Sequence, residues 1–575
     1  MSDEIRNAIE ILNDIRKTSF TECDTKAHYV KTFADVVSLA NGQKVPMTIS
    51  FNVDYTITFP DFHVDNHNGK YLHCDLDGKM CLFNKDAVMI KPNMLPQLIV
   101  DCYDRAIDIL SLDSMSDEYK REYAREFCAY WHEVAESERV YCDVDTSKIK
   151  FSMKELLKTS SALILSENRV STKILAEEYL KIPCSGQEMF CPVHLIRLKN
   201  DASLPRIKAK YNKKEVIDYI LRNLSSSNRK LFSKLLNQMS KKILIRFIFI
   251  YPYEYNDIVF GFALYAKNKR KKAIKNSLNC EVYPLYIHRL DKGYLDSRIG
   301  GTAALNEKKV LLLGSGSIGG FLANNLCQLG IICLDILDKD TYMPENACRH
   351  FLGVAGIKST GSRFKADLVK GRLYELYPYV DIDSLNYVDR SVETFIKNPD
   401  NLRRYDLIIS ALGDTTLNLE INRILYEKKI DVPFLCCFNE PYGIGGHAIL
   451  VNVSKDSCLQ CLYTDSYYDE VVSFRGSLVK EGQTFIKTIS GCGGSFIPYG
   501  CLDSQQTALL TARMAGDVLS GKLLRNTCCS WIGNSNLLTD SRYLVSERYK
   551  QQSVGGIIIE ERFENCNCTI CSRGK

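Results

Sequence analysis

Short apolar runs and helix-period segments alternate through the second half of the chain. Val310 to Leu313 is an unbroken apolar run, the pattern of a strand buried on both faces of a parallel sheet. Similar patterns predict two further strands at 331–337 and 407–412 and two helices at 321–329 and 502–515. The alternation predicts an α/β domain with a doubly wound sheet over residues 301–575.

The first 300 residues combine helical periods with fewer strand patterns. Residues 1–155 are predicted to form a small α+β domain, with helices at 4–16, 96–110 and 117–136 and strand-like alternation over 47–59. Residues 156–300 are predicted to be a mixed α/β linker domain with helices at 214–224 and 228–241 and a strand at 243–251. No chemistry is evident in this middle region.

Composition narrows the class of protein. Hydrophobic residues make up 45% of the 575 residues and charged residues 25%, which is ordinary globular composition. The longest apolar stretch, 243–251, contains Arg246 and is too short to cross a bilayer. With no leader pattern at its start and a net charge of only +5, the chain is expected to be soluble and cytoplasmic, with no membrane or direct nucleic-acid role. The basic run 267–272 is a solvated surface or a contact for an acidic partner.

Cysteine is unusually frequent, with 23 residues in all. Without an export signal, metal binding or thiol chemistry is expected in preference to a disulfide framework. Most of these cysteines are expected to be small buried hydrophobic residues.

A glycine motif follows the first apolar run of the α/β region. Gly314, Gly316 and Gly319 form a G-x-G-x-x-G turn that opens a helix, and a second strand ends at Asp338. Glycines allow close approach of phosphate, the helix N-terminus supplies N–H donors, and a carboxylate at this spacing reaches a ribose hydroxyl. The motif predicts nucleotide binding without separating NAD from ATP.

The residues after Asp338 carry a family resemblance. Asp340, Asn346, Arg349 and Lys365, with Gly356 and Lys358 between them, resemble the ubiquitin-activating and sulfur-carrier adenylating enzymes of the ThiF type. The resemblance implies that Asp340 binds ribose and that Asn346, Arg349 and Lys365 hold the triphosphate of ATP. It also implies that Asp414 lies beside the nucleotide and its Mg²⁺, with Asn422 as a companion. Asn418 stands near the position where that family often has an arginine, which leaves one phosphate contact open.

Two C-x-x-C pairs lie about a hundred residues apart. Cys458 with Cys461 and Cys568 with Cys571 can each supply two positions of a tetrahedral site. Such pairs occur at corresponding places in the adenylating enzymes, which implies a structural zinc ion. Cys566 is a possible substitute ligand.

A glycine-flanked cysteine, Cys492, lies between these pairs and shortly before the helix predicted at 502–515. The related enzymes carry a thiol on a loop at this point, which implies capture of the acyl-adenylate as a thioester. Cys501 is the alternative nucleophile, because it lies at the helix start, where the dipole favours thiolate. A third possibility is that Cys492 is a buried, inert thiol.

A second candidate thiol lies near the start of the chain. His73, Cys74, Asp75 and Cys81 resemble the active-site segment of ubiquitin-conjugating enzymes, in which an H-P-N element precedes the cysteine by a similar spacing. Here Asp75 replaces the asparagine that stabilises the oxyanion. Asp75 is therefore expected to orient or deprotonate the incoming amine. The helical segment 126–131 also resembles a helix of bacterial members of that fold.

The two resemblances together are those of bacterial fusion enzymes of anti-phage CBASS operons, in which a conjugating domain precedes an activating domain. They imply ATP-dependent activation of a protein C-terminal carboxylate, thioester transfer to Cys81, and ligation to an amine. A cyclic-nucleotide synthase is the expected carboxylate donor, and a homodimer is expected. The alternatives are a sulfur-carrier-type adenylyltransferase, a catalytically silent nucleotide-binding scaffold and, more distantly, an NAD-dependent oxidoreductase.

Overall fold

A computed structural model of the chain describes every residue except 1, 66–70, 76, 84–88, 92, 115, 136–138, 185–188, 209, 239–243, 255, 267–279, 298–304, 359–362, 378–379, 386–389, 454, 456, 464–473, 489–494, 562, 566–567 and 572–575. The basic run 267–272, Cys492 and Cys566 therefore lie outside the described residues. The chain divides into two units, Met1–Leu295 and Asp296–Lys575. Among the described helices, none is long and apolar enough to cross a bilayer.

The first unit begins with two helices on an antiparallel meander of four strands in sequential order. Its elements are α1 (Ser2–Arg16), β1 (Thr21–Glu22), β2 (Lys31–Ser38), β3 (Lys44–Phe51), β4 (Asp61–Val64) and α2 (Leu95–Ser111). The apolar face of α1, including Ile5 and Ile9, and that of α2, including Ile99, are buried in one core with the sheet residues Phe33 and Phe62.

The same unit continues into a closed seven-stranded barrel in the order β10-β11-β5-β7-β6-β8-β9. Along β9, Ile248 and Ile250 pack with the other strands, while Phe247 and Phe249 pack with the surrounding helices. The elements are α3 (Asp117–Val134), β5 (Arg139–Cys142), β6 (Phe151–Lys158), β7 (Leu163–Leu165), α4 (Arg169–Ile174), β8 (Met189–Arg197), α5 (Lys213–Asn223), α6 (Ser226–Gln238), β9 (Leu244–Tyr251), β10 (Ile258–Ala266), β11 (Cys280–Arg289) and α7 (Lys292–Ser297).

The second unit is an eight-stranded sheet in the order β14-β13-β12-β15-β16-β17-β20-β21. Strands β12 to β16 pair in parallel, and β17, β20 and β21 complete the sheet with antiparallel pairing. The elements are β12 (Lys309–Leu313), α8 (Ser317–Gln328), β13 (Cys333–Leu337), α9 (Lys365–Leu376), β14 (Asp381–Ser384), α10 (Val392–Phe395), β15 (Leu407–Ser410), α11 (Thr415–Glu427), β16 (Phe434–Asn439), β17 (Gly445–Val451), β18 (Lys487–Thr488), β19 (Ser495–Phe496), α12 (Cys501–Leu519), β20 (Thr527–Ile532), α13 (Asn536–Asp540), α14 (Glu547–Lys550) and β21 (Ile557–Glu560).

Helices cover both faces of this sheet, so the predicted doubly wound α/β fold is confirmed. Helices α8 and α12 belong to one core cluster, and α11 belongs to the cluster on the other side. The strand order runs outward in one direction from β12 to β14 and in the other from β15 to β16. The carboxyl ends of β12 and β15 therefore flank the switch point at which such sheets bind ligands.

One predicted element needs correction. The strand-like alternation over 47–59 holds only to Phe51, where β3 ends. Turn hydrogen bonds follow at once, from the Tyr55 N–H to the Asn52 carbonyl (3.2 Å) and from the Ile57 N–H to the Asp54 carbonyl (2.9 Å). These turns satisfy the backbone locally and end the ladder.

Candidate functional site

The glycine motif forms the tight turn between β12 and α8. Gly314 has a φ of +86°, and a Cβ there would lie 3.0 Å from the Ala411 carbonyl oxygen. A Cβ on Gly319 would lie 2.1 Å from the Gly314 carbonyl oxygen. Gly316 is the N-cap of α8. The three glycines therefore let the backbone fold onto itself and leave the first N–H groups of α8 for a ligand.

Two side chains hold this turn through Ser315. The Asp338 carboxylate accepts hydrogen bonds from the Ser315 N–H (2.7 Å), the Ser315 hydroxyl (3.1 Å) and the Asp340 N–H (2.8 Å). On the other side, His350 Nε2 lies 2.7 Å from the Ser315 carbonyl oxygen. One carboxylate oxygen of Asp338 thus holds the turn, and the other holds the backbone of Asp340.

The ring of His350 has a defined tautomer. Its Nδ1 accepts a hydrogen bond from the Leu352 N–H (3.2 Å), so Nε2 carries the proton and donates to Ser315. Burial lowers the pKa of His350 to about 4, which keeps the ring neutral near pH 7. The sequence analysis missed this residue, although it directly follows Arg349 in the motif.

A cleft of about 200 Å³ opens at the carboxyl edge of the sheet. Lys365, at the start of α9, donates to the Asp340 carboxylate at 2.8 Å, and its side chain is only 12% exposed. Asp414 caps α11 by accepting from the Leu417 N–H (3.0 Å) and is itself exposed. The cleft brings together Gly314, Gly316, Asp338, Lys339, Asp340, Lys365, Arg390, Val392, Glu393, Ala411, Leu412, Asp414 and Leu417.

Three residues that were predicted to bind the cofactor, Gly319, Asn346 and Arg349, are not among the residues that line this cleft. Asn346 Oδ1 accepts a hydrogen bond from the Met343 N–H (2.9 Å) and closes a short 3-10 turn. Arg349, three residues on, is half-buried.

The two asparagines of α11 serve the protein interior. Asn418 is buried and accepts from the Ser410 hydroxyl at 2.6 Å. Asn422 is fully buried and accepts from the Leu459 N–H at 3.0 Å, next to Cys458. The expectation that Asn422 accompanies Asp414 at the nucleotide is wrong, because a side chain with no exposed surface does not reach a ligand.

Three charged residues of the cleft were missed by sequence analysis. Arg390 donates to the Asp367 carboxylate at 2.8 Å, and its guanidinium carbon lies 4.2 Å from the centre of the Phe364 ring. Lys339 donates to Glu393 at 2.9 Å, and this hydrogen bond holds the pKa of Glu393 at about 2. Arg390 and Glu393 belong to no motif of fixed spacing, and Lys339 is the variable residue between Asp338 and Asp340.

The residues that follow the predicted thiol loop contact the start of α8. Cys492 lies outside the described residues, but the strands on either side of that segment, β18 and β19, pair with each other. The Tyr499 hydroxyl lies 3.0 Å from the Ser317 hydroxyl at the start of α8. Cys501 is the first residue of α12, half-buried, and its sulfur accepts from Gln505 Nε2 at 3.4 Å.

The four predicted metal ligands converge. The ligand atoms of Cys458, Cys461, Cys568 and Cys571 all lie within 4.8 Å of one another. Sulfur–sulfur distances of 3.5 Å, 3.9 Å and 3.3 Å link Cys458 to Cys568, Cys461 to Cys458 and Cys461 to Cys571. Four thiolates around Zn²⁺ at about 2.3 Å lie about 3.8 Å apart, so the set fits a tetrahedral zinc ion.

In the first unit, the segment 73–81 folds back on itself. The Cys81 N–H donates to the His73 carbonyl at 2.6 Å, and Asp75 accepts from the Lys79 N–H at 2.8 Å. A Cβ on Gly78 would lie 1.9 Å from the Val64 carbonyl oxygen. This turn places Cys81 on the surface beside the backbone of His73, while Cys74 is buried.

Helix α3 packs behind this turn. The His73 N–H donates to the Tyr130 hydroxyl at 2.5 Å, and His73 Nε2 lies 3.7 Å from a Glu122 carboxylate oxygen. Phe127 and Trp131 on the same helix pack against Phe260 of the barrel. Helix α3 thus connects the turn that carries Cys81 to the barrel.

Comparison with known proteins agrees with the division of the chain into two units. Residues 295–503 match the ThiF family. The chain is 25% identical over 471 residues to the ATP-dependent ubiquitin transferase-like protein Cap2 of Pseudomonas aeruginosa, covering 78% of this chain and 80% of that protein. It is 24% identical to the protein of the same description from Escherichia coli, covering 48% of this chain and 43% of that protein.

Among solved structures, E. coli MccB with ATP is 14% identical, with a TM-score of 0.32 over 47% of this chain and 68% of that chain. This likeness is too weak to assign residues.

Proposed function

We propose that this chain activates a protein carboxylate with ATP and transfers the acyl group through its own thiols to an amine. Its second unit contains a ThiF-type domain, and the chain is similar over most of its length to an ATP-dependent ubiquitin transferase-like protein. The observation that carries the proposal is the cleft at the switch point of the sheet. There a glycine turn, the Asp340–Lys365 pair and Asp414 face one space.

The first step is adenylation. An oxygen of the carboxylate attacks the α-phosphorus of ATP, and the bond to pyrophosphate breaks. The N–H groups at the start of α8 and Lys365 stabilise the negative charge, and Asp340 binds the ribose. Asn346 and Arg349 are assigned to the polyphosphate. Asp414 is assigned to hold Mg²⁺, which would supply positive charge to the phosphates.

Thiol capture follows. The Cys492 thiolate attacks the carbonyl carbon of the adenylate, and AMP leaves with the bonding electron pair. The connection of this region to Ser317 through Tyr499 supports the assignment, because it links the capture loop to the phosphate-binding turn. Cys501 is the alternative nucleophile, since it begins α12.

The second thiol then receives the acyl group. The Cys81 thiolate attacks the first thioester and displaces the Cys492 thiolate, and an amine finally attacks the Cys81 thioester. The exposed position of Cys81 supports this role. Asp75 is assigned to orient or deprotonate the amine, and His73 to fix the turn.

The four-cysteine site is assigned to structural Zn²⁺. Its sulfur atoms come from segments about 110 residues apart, and three of the four ligands are buried. A buried, closed set of thiolates leaves no position for a substrate, as is usual for structural zinc.

The expected carboxylate donor is the C-terminus of a cyclic-nucleotide synthase, as in the CBASS fusion enzymes that the sequence resembles, and the expected assembly is a homodimer.

Non-reducing gels test the proposed relay, which is the transfer of the acyl group from Cys492 to Cys81. Wild type, Cys492→Ala, Cys501→Ala and Cys81→Ala would each be mixed with the synthase and ATP–Mg²⁺. Reducible adducts that persist on Cys492 in Cys81→Ala, and disappear in Cys492→Ala, support the relay. Cys23→Ala, an exposed cysteine in the same unit as Cys81, is the matched control.

The rival functions predict different results. ATP–pyrophosphate exchange without any adduct indicates a sulfur-carrier-type adenylyltransferase. ATP binding without exchange indicates a nucleotide-binding scaffold. Either result contradicts the relay.

A further inference from the structure

Arg390 occupies an unusual place at the end of the nucleotide cleft. Its backbone has a φ of +56°, a left-handed conformation that non-glycine residues rarely adopt and that clusters at functional sites. Its side chain is only 13% exposed and lines the cleft. Such a strained arginine needs surroundings that hold it in place.

Among the described residues, two contacts hold the guanidinium group. One is the hydrogen bond to Asp367, at 2.8 Å, and the other is the stacking over the Phe364 ring, at 4.2 Å. The carboxylate already balances the positive charge. What the side chain still offers to a ligand is its planar, weakly hydrated surface, which stacks well on aromatic rings.

The order of strands indicates which part of the nucleotide meets Arg390. The glycine turn follows β12, and the carboxylates Asp338 and Asp340 follow β13. The next strand outward is β14, and Arg390 lies in the connection that follows it. With phosphates at the end of β12 and ribose at the end of β13, the base extends toward the end of β14.

We propose that Arg390, supported by Phe364, forms the stacking platform for the adenine base. This inference rests on the proposed use of ATP and adds to it the residue that binds the base. Nucleobases stack on guanidinium planes as they do on aromatic rings.

Equilibrium binding to the full-length protein tests the inference, with ATP, AMP and inorganic tripolyphosphate as probes. Arg390→Lys keeps the charge beside Asp367 but removes the plane. The substitution is expected to weaken the binding of ATP and AMP by about tenfold and to leave the binding of tripolyphosphate unchanged. Arg372→Lys, an exposed arginine paired with Glu375 on α9, is the matched control.

Phe364→Leu provides a second variant in case Arg390→Lys folds poorly. It leaves the arginine in place but removes the ring beneath it, and weaker AMP binding with unchanged tripolyphosphate binding is expected.

Equal weakening of ATP and tripolyphosphate would make Arg390 a phosphate ligand and overturn the inference, as would unchanged AMP binding in both variants. A wild-type protein that binds none of the nucleotides would instead contradict the proposed function itself.

Discussion

Three cationic side chains of the cleft are each paired with a carboxylate. Lys365 contacts Asp340, Lys339 contacts Glu393, and Arg390 contacts Asp367. Each cation is thereby held in position, and less side-chain entropy is lost when a ligand arrives. The polyphosphate has to share these cations with the carboxylates, so the individual cations contribute unequally to the free energy of ATP binding.

Lys365→Gln is expected to weaken ATP binding by about tenfold or more, because a hydrogen bond to a charged group contributes about 1.5–3 kcal/mol. Isothermal titration calorimetry measures this loss. Lys370→Gln on the same helix, where the lysine pairs with Asp383, is the control and is expected to bind ATP as wild type does. Equal affinities for ATP in wild type and Lys365→Gln would contradict the phosphate role.

The buried His350 predicts a pH dependence of stability. Its pKa is about 4 in the folded protein and about 6.5 when exposed, so the unfolded chain binds the proton more tightly. The neutral ring therefore contributes fully to the free energy of unfolding above about pH 6.5, and this contribution is lost as the pH falls toward 4. The free energy of unfolding is expected to fall by about 2 kcal/mol between pH 7 and pH 5 for this reason.

His350→Gln keeps a donor for the Ser315 carbonyl but does not titrate. Urea unfolding at both pH values is expected to give a smaller pH dependence for this variant than for wild type. Among the described residues, the titratable groups near the ring include Lys365 and Tyr342. Identical pH slopes in the two proteins would show that His350 does not titrate as described.

At the scale of elements, the β12–α8 unit is built around close backbone contacts. Gly319 lies against the Gly314 carbonyl, whereas Gly371, in the middle of α9, has no atom within 4 Å of a Cβ built on it. Replacement of these two glycines by alanine is therefore expected to change the stability of the protein in opposite directions.

Gly319→Ala is expected to displace the glycine turn, to abolish measurable ATP binding and to lower the melting temperature. Gly371→Ala is the matched control and is expected to stabilise the protein by about 0.5–1 kcal/mol, because alanine is the better helix former. Calorimetric melting and ATP titration of both variants provide the comparison. A Gly319→Ala protein that binds ATP normally would show that the turn tolerates displacement.

Local sequence signals predicted the elements around the cleft well. The described strands β12, β13 and β15 are buried at every position except Lys309 and Cys333. Gly314, Asp340, Lys365 and Asp414, which the sequence analysis named, are among the residues that line the cleft. The barrel was not predicted, because its closure depends on pairings distant in sequence, such as β5 with β11. Arg390 was missed for a similar reason, since only the folded chain brings it to Phe364 and Asp367.

On the scale of the whole molecule, the four-cysteine cluster joins distant parts of the second unit. Cys458 and Cys461 precede β18, and Cys568 and Cys571 follow β21. A metal ion bound there would close a loop of about a hundred residues and would stabilise the folded state.

Elemental analysis of the purified protein is expected to give about one zinc ion per chain. Cys568→Ser is expected to remove it and to lower the free energy of unfolding by several kcal/mol, with a matching loss on chelation of wild type. Cys333→Ser, outside the cluster, is the control. Zinc retained in full by Cys568→Ser would contradict the ligand assignment.

The closure of the barrel has a mechanical consequence. Its first strand, β5, and its last, β11, lie side by side and parallel, with Val140 opposite Ile287 and Cys142 opposite Arg289. A force that pulls the ends of residues 139–289 apart therefore drags these strands past each other lengthwise. The bridging hydrogen bonds are then loaded together and do not open one at a time. The barrel is a shear-resistant module, and optical-tweezer traces are expected to show it yielding at a higher force than the antiparallel meander of the same unit.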